Sequence, residues 1–97
     1  MADLILPVKA IYFHQIREGS KPEEFRLDNE YWRKRLVGKT FDRVIVTLGY
    51  PKAGDTSRRV IRPWRGYVMR TITHEFFGNM PQHVFAINVS VPGAEGE

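Results

Sequence analysis

The sequence predicts an α+β fold: a small curled sheet or β-barrel of five to six strands carrying two short helices. Three observations lead there. Apolar and polar residues alternate with period two in several short stretches, most clearly where Val44, Val46 and Leu48 alternate with Arg43, Ile45 and Thr47. Two other stretches follow helical spacing and end at turn signals. The 97 residues are enough for one domain, expected over 3–91 with a flexible tail at 92–97, and no repeat or linker divides them.

Taken in order, Leu4, Ile5 and Leu6 before Pro7 predict a first strand. Val8, Ile11 or Tyr12, and Gln15 or Ile16 share helical spacing, so a helix is expected over 8–18, stopped by Gly19 in a left-handed cap. About three turns cannot stand alone, and the helix needs a sheet to pack on. Over 23–27, Phe25 and Leu27 face one way and Glu24 and Arg26 the other, a strand with one apolar and one polar face. Asp28 or Asn29 can cap a second helix over 30–36, with Tyr31 on its inner face. Gly38 and Lys39 mark a turn before the strand expected over 41–50, and Gly54-Asp55 lies in the loop that follows. The stretch 59–73 reads as extended, with a bend or bulge at Pro63 and Gly66. A last alternating strand over 83–91 closes the sheet.

Composition narrows the chemistry. The chain has no cysteine, which excludes disulfides, zinc–thiolate sites and thiol nucleophiles. Its opening residues carry no basic leader and too short an apolar run for a secretory signal, so a cytoplasmic protein is expected. No stretch approaches the roughly 18 apolar residues of a membrane span, so no membrane partner is expected. The net charge is +4, from 15 basic and 11 acidic residues, and ten of the basic residues are arginine, suited to bidentate recognition of phosphate or carboxylate. Five arginines and no acid fall in 58–70, interleaved with Trp64 and Tyr67. Such a run is either a solvated face or a nucleic-acid surface, and the interleaved aromatics favour the second.

The segment Gly19-Ser20-Lys21-Pro22-Glu23-Glu24-Phe25-Arg26 carries the densest chemistry. Gly19 frees the backbone to leave the helix. Lys21 stands at the turn as a mobile point charge. Glu24 and Arg26 are two apart on a strand and share a face. Glu24 can accept from an amino group, such as the exocyclic amine of cytosine or adenine, while Arg26 can hold Glu24 or clamp a phosphate. The plainer alternative is a surface ion pair worth less than about 1 kcal/mol.

The spacing Gly19-x-Lys21-x-x-Glu24-x-Arg26, between a helix and a strand, resembles that of the ASCH family, a branch of the PUA-like fold. The helix over 9–16, the Tyr31-Trp32-Arg33-Lys34-Arg35 run and the Gly66-Tyr67-Val68 strand extend the resemblance to roughly 4–89. The Gly49-Tyr50-Pro51 and Ile72-Thr73-His74 stretches look like the compact ASCH proteins of phages and prophages. The resemblance implies a PUA-like barrel with a cleft beside the first helix and a role in binding single-stranded RNA or a nucleotide. It also implies an alternative as a hydrolase. One ASCH branch hydrolyses N4-acetylcytidine and matches at Gly19, Lys21 and Arg26, but has a threonine nucleophile where this chain has Glu24. Glu24 lacks that hydroxyl and could act only as a general base on water, so if the chain is an enzyme, Lys21 and Glu24 are its candidate pair. A second branch has been described as a metal-dependent ribonuclease using a tyrosine, a lysine and a serine; Lys21 resembles its lysine, and the other two have no assigned counterpart in this chain. A protein-binding role, as adaptor or inhibitor, is a third possibility.

Other residues add less. His14, His74 and His83 show no metal-ligand spacing, and neither a metal nor a cofactor is expected. Thr73-His74-Glu75 offers a neighbouring His–Glu pair more suited to a loop hydrogen bond than to acid/base work. Ser20, Ser57 and Ser90 lack a nucleophile elbow. Trp32 is either core or a stacking platform, with core the better match to its helix. Trp64, between Arg62 and Arg65, is the stacking candidate, and the expected ligand set is Lys21, Glu24, Arg26, Trp64 and Arg65.

Overall fold

The computed structural model describes residues 2–73 and 78–92. The His74-Glu75 pair and residues 93–97 of the expected tail lie outside the described residues. The chain runs β1 (Asp3–Val8), α1 (Ala10–Glu18), β2 (Glu23–Leu27), α2 (Glu30–Leu36), β3 (Arg43–Leu48), a 3₁₀ turn (Thr56–Arg58), β4 (Arg59–Pro63), β5 (Tyr67–Ile72) and β6 (Gln82–Asn88). The α+β class holds, with two helices and six strands among the described residues.

The strands form two sheets of three rather than one closed barrel among the described residues. One has the order β1-β3-β4 and the other β2-β6-β5. β1 runs parallel to β3, the chain passing between them through α1, β2 in the other sheet and α2; the other pairings are antiparallel. The extended stretch expected over 59–73 is thus split between sheets. It leaves the first at Pro63, turns through Gly66 at φ 80°, and enters the second at Tyr67. The bend falls where Pro and Gly predict it, but a sequence run carries no record of which sheet each half joins.

β1 continues through Pro7 to Val8, past the expected end. This is tolerated because β1 is an edge strand and a missing proline N–H there breaks no ladder. α1 consequently begins at Ala10 and ends at Gly19, whose φ of 95° lets its N–H reach the carbonyls of Gln15 and Ile16. Asn29 caps α2, its Oδ1 accepting from the Trp32 N–H at 2.9 Å, while Asp28 pairs with Arg33 instead. In α2 the inward residues are Trp32 and, one turn on, the fully buried Leu36; Tyr31, expected inside, is exposed and lies under the Arg35 guanidinium at 4.1 Å.

The core lies between the inner faces of the sheets. Leu4, Leu6 and Val8 of β1 stand opposite Val44, Val46 and Leu48 of β3, and Val60 continues the row. Phe85 and Ile87 come from β6, Phe13 and Ile16 from α1, and Leu36 from α2. α1 rests on β3 and β4. β6 does not simply alternate: Val84, Phe85, Ala86 and Ile87 are all buried, as suits the central strand of its sheet. No helix among the described residues is long and apolar enough to cross a membrane.

Candidate functional site

The register of β2 decides what the site contains. Glu24 stands opposite Ile87 and Arg26 opposite Phe85, so both share the inward face of β6. Phe25 and Leu27 stand opposite Ala86 and Val84 on the other side. The polar face of β2 is therefore the inward one. Glu24 is only 6% exposed, one of two buried polar or charged residues among those described, the other being Thr47.

A buried carboxylate requires compensation. Arg26 donates through Nη1 to Glu24 Oε2. The same guanidinium donates to the Phe25 carbonyl at 3.0 Å and to the Pro7 carbonyl at 2.9 Å, tying β2 to β1 across the gap between the sheets. Arg26 is thus committed to holding Glu24 and the strand edges, not to clamping a phosphate. Lys21 Nζ lies 3.8 Å from Glu24 Oε1, an ion pair too long for a hydrogen bond. That ammonium also sits 4.6 Å from the centre of the Phe25 ring and 5.3 Å from that of Tyr12, so two aromatic faces hold it.

These residues line a cavity of about 360 Å³. Its walls come from the edge strands β1 and β2, from β5 through Ile72, from α1 through Tyr12 and from α2 through Trp32, over which Arg26 lies at 5.3 Å. The volume suits a small organic ligand. The walls are mainly apolar and aromatic, and of the charged side chains that line them Lys21 and Arg26 meet Glu24. Oε1, without a hydrogen-bond donor among the described residues, is the acceptor that Glu24 offers the cavity.

Trp64 and Arg65 are not at this cavity. Trp64 is partly buried against the core, edge-on to Phe41 with centroids 5.0 Å apart. Arg65 donates to the Ser90 hydroxyl at 3.0 Å and to the Ser90 carbonyl. The rest of the arginine run also serves the fold. Arg62, opposite Val44 on the inner face, donates to the carbonyls of Ile16 at 3.0 Å and Val89 at 3.2 Å. Burial and the nearby Arg65 charge push its guanidinium pKa down. Arg59 binds the Lys52 and Asp55 carbonyls, Arg58 pairs with Asp55, and Arg70 grips both oxygens of Glu23 at 2.7 and 2.8 Å. Side chains that cap carbonyls and side chains that wait for phosphates have the same sequence pattern.

Sequence reasoning missed Tyr12 and Phe25 as cavity walls, and Trp32, read as either core or a stacking platform, both packs on the core and lines the cavity. Their period-two or helical spacing marks a buried face and does not separate a packed core from a hollow one. Among the described residues no three His, Asp or Glu side chains group as metal ligands, and His83 instead meets Thr71 at 3.0 Å. Comparison with models of known protein families, with curated proteins and with solved structures finds no match.

Proposed function

We propose that this chain is a PUA-like module of ASCH type that binds single-stranded RNA or a nucleotide, with one base held in the cavity beside Glu24. The two sheets would then be the halves of an open barrel-like frame, and the cavity the seam between its β1 and β2 edges. The observation that carries the proposal is a buried carboxylate inside an aromatic-lined cavity, fixed by Arg26 at Oε2, with Oε1 faced by the Lys21 ammonium at 3.8 Å and accepting no hydrogen bond from a described residue. Flat aromatic walls favour a planar ligand by stacking. An open carboxylate acceptor selects a ligand edge that carries an amine, which cytosine and adenine have and uracil lacks. Lys21, caged at the cavity by Tyr12 and Phe25, supplies positive charge for the adjoining phosphate.

The experiment is a titration of labelled single-stranded RNA at about 50 and about 200 mM salt. Binding is expected to tighten at the lower salt, to favour cytidine- or adenosine-bearing RNA over uridine-bearing RNA, and to lose that preference in Glu24→Gln. No binding at low salt removes the proposal.

The Lys21–Glu24 pair favours one further possibility. Oε1 and Nζ, 3.8 Å apart in a cavity, can activate a water between them, with Glu24 as base. An N4-acylated cytidine panel tests this: release of free cytidine that disappears in Lys21→Ala supports hydrolysis, and no turnover at high protein concentration rejects it.

A further inference from the structure

Next to the cavity lies a second, larger cleft of about 860 Å³ between α2 and the β1 edge. The two share Pro7, Arg26 and Trp32, so the stacked Arg26–Trp32 pair is a partition with a hollow on each side. The second hollow is basic: Lys34, Arg35 and Lys39 line it. Its acid, Asp3, is already held by Arg43 at 2.8 and 3.2 Å. Lys34 is paired at 3.2 Å with Glu30, but both side chains are more than 70% exposed, and such a pair yields readily to a competing anion.

Two tyrosines complete the surface. Tyr31 is 56% exposed and Tyr50 is 91% exposed, and both line the cleft. Burial in the core explains neither. Arg35 already lies over the Tyr31 ring at 4.1 Å. Cations for phosphates interleaved with exposed rings for bases are what a single strand requires. A duplex would need an element that enters a groove, and the seven-residue α2 forms a cleft wall instead.

We propose that this cleft is a tract for the nucleotides flanking the one in the cavity, so that the ligand is a single-stranded oligonucleotide threaded past the Arg26–Trp32 partition. Lys34, Arg35 and Lys39 contact its phosphates, and Tyr31 and Tyr50 stack its bases. This rests on the base-binding role of the first cavity for the strand's register, but the phosphate contacts do not depend on it.

The test compares three probes by fluorescence anisotropy or competition: cytidine monophosphate, a short oligocytidylate, and an abasic strand of the same length. The oligocytidylate is expected to bind more tightly than the monophosphate. Lys34→Ala with Lys39→Ala should reduce the slope of log affinity against log salt by about 1.4 and leave the monophosphate unaffected. Tyr31→Ala or Tyr50→Ala should weaken the oligocytidylate by about fivefold or more and spare the abasic strand. These side chains are exposed, so unchanged melting temperatures are the control for folding. Oligocytidylate binding no tighter than monophosphate binding overturns the tract alone. Equal binding of abasic and cytidine-bearing strands, with no binding of the monophosphate, overturns the base cavity and the stacking on Tyr31 and Tyr50 and keeps only the phosphate contacts. Displacement by polyglutamate as effective as by the oligonucleotide identifies an acidic-protein surface and overturns the tract, as does an unchanged salt slope in the lysine variant. Failure of all three probes overturns both.

Discussion

At the residue scale, Glu24 and Arg26 are one unit. A carboxylate this buried is tolerated because the guanidinium meets it, so removing the cation alone is worse than removing both. Arg26→Ala is expected to cost about 3 kcal/mol, seen as a lower urea midpoint, because it leaves the buried Glu24 charge with only the Lys21 ammonium at 3.8 Å and no hydrogen-bond donor on Oε2. The double variant Glu24→Ala with Arg26→Ala should recover part of that loss, and a cycle without a coupling term would show that the pair is not a unit. Gly19 has a different role. At φ 95° it leaves the helix where a side chain is disfavoured, and an added Cβ would lie 3.0 Å from Val91 Cγ2. Gly19→Ala should therefore destabilise by more than about 1 kcal/mol, measured by the same unfolding titration.

At the element scale, the two helices close the space between the sheets. Phe13 of α1 is fully buried in the core cluster, and Phe13→Ala should cost about 3–5 kcal/mol out of a total of about 5–15. Surface carboxylates pin element ends: Arg43 holds the Asp3 carboxyl below its usual pKa, and Arg33 does the same to Asp28. A depressed carboxyl pKa adds stability that is fully present above the unfolded value of 3.8 and is lost as pH falls through the lower folded value. Thermal unfolding should therefore show a stability plateau near neutrality that declines below pH about 4, less steeply in Asp28→Asn. The elements themselves were largely legible. Gly19 stopped α1, an Asx residue capped α2, and β3 alternated as its valines required. The facing of β2 was not legible, since alternation defines two faces and not which one looks inward when the inner face lines a cavity. Tyr31 and Trp32 are neighbours, and one residue of helical phase decided which was buried. The arginine run carries no record of its partners in the fold, for a physical reason: long guanidinium side chains fold back onto carbonyls as readily as they project into solvent.

At the scale of the whole molecule, the two sheets meet along a seam held by Arg26 and hollowed by the candidate site. The seam consists of edge strands, so it should open more easily than the centres. Amide exchange should be slowest in the central strands β3 and β6 and faster in β1 and β2, and a ligand in the cavity should slow β2 most. Base binding beside Glu24 is tested most directly by a two-dimensional amide NMR titration with cytidine monophosphate, run on the native chain and on Glu24→Gln. With a base held beside Glu24, shifts concentrate at Lys21, Glu24 to Leu27 and Trp32 and are markedly reduced in the variant. Shifts confined to the outer arginines, or identical in the two proteins, would contradict it.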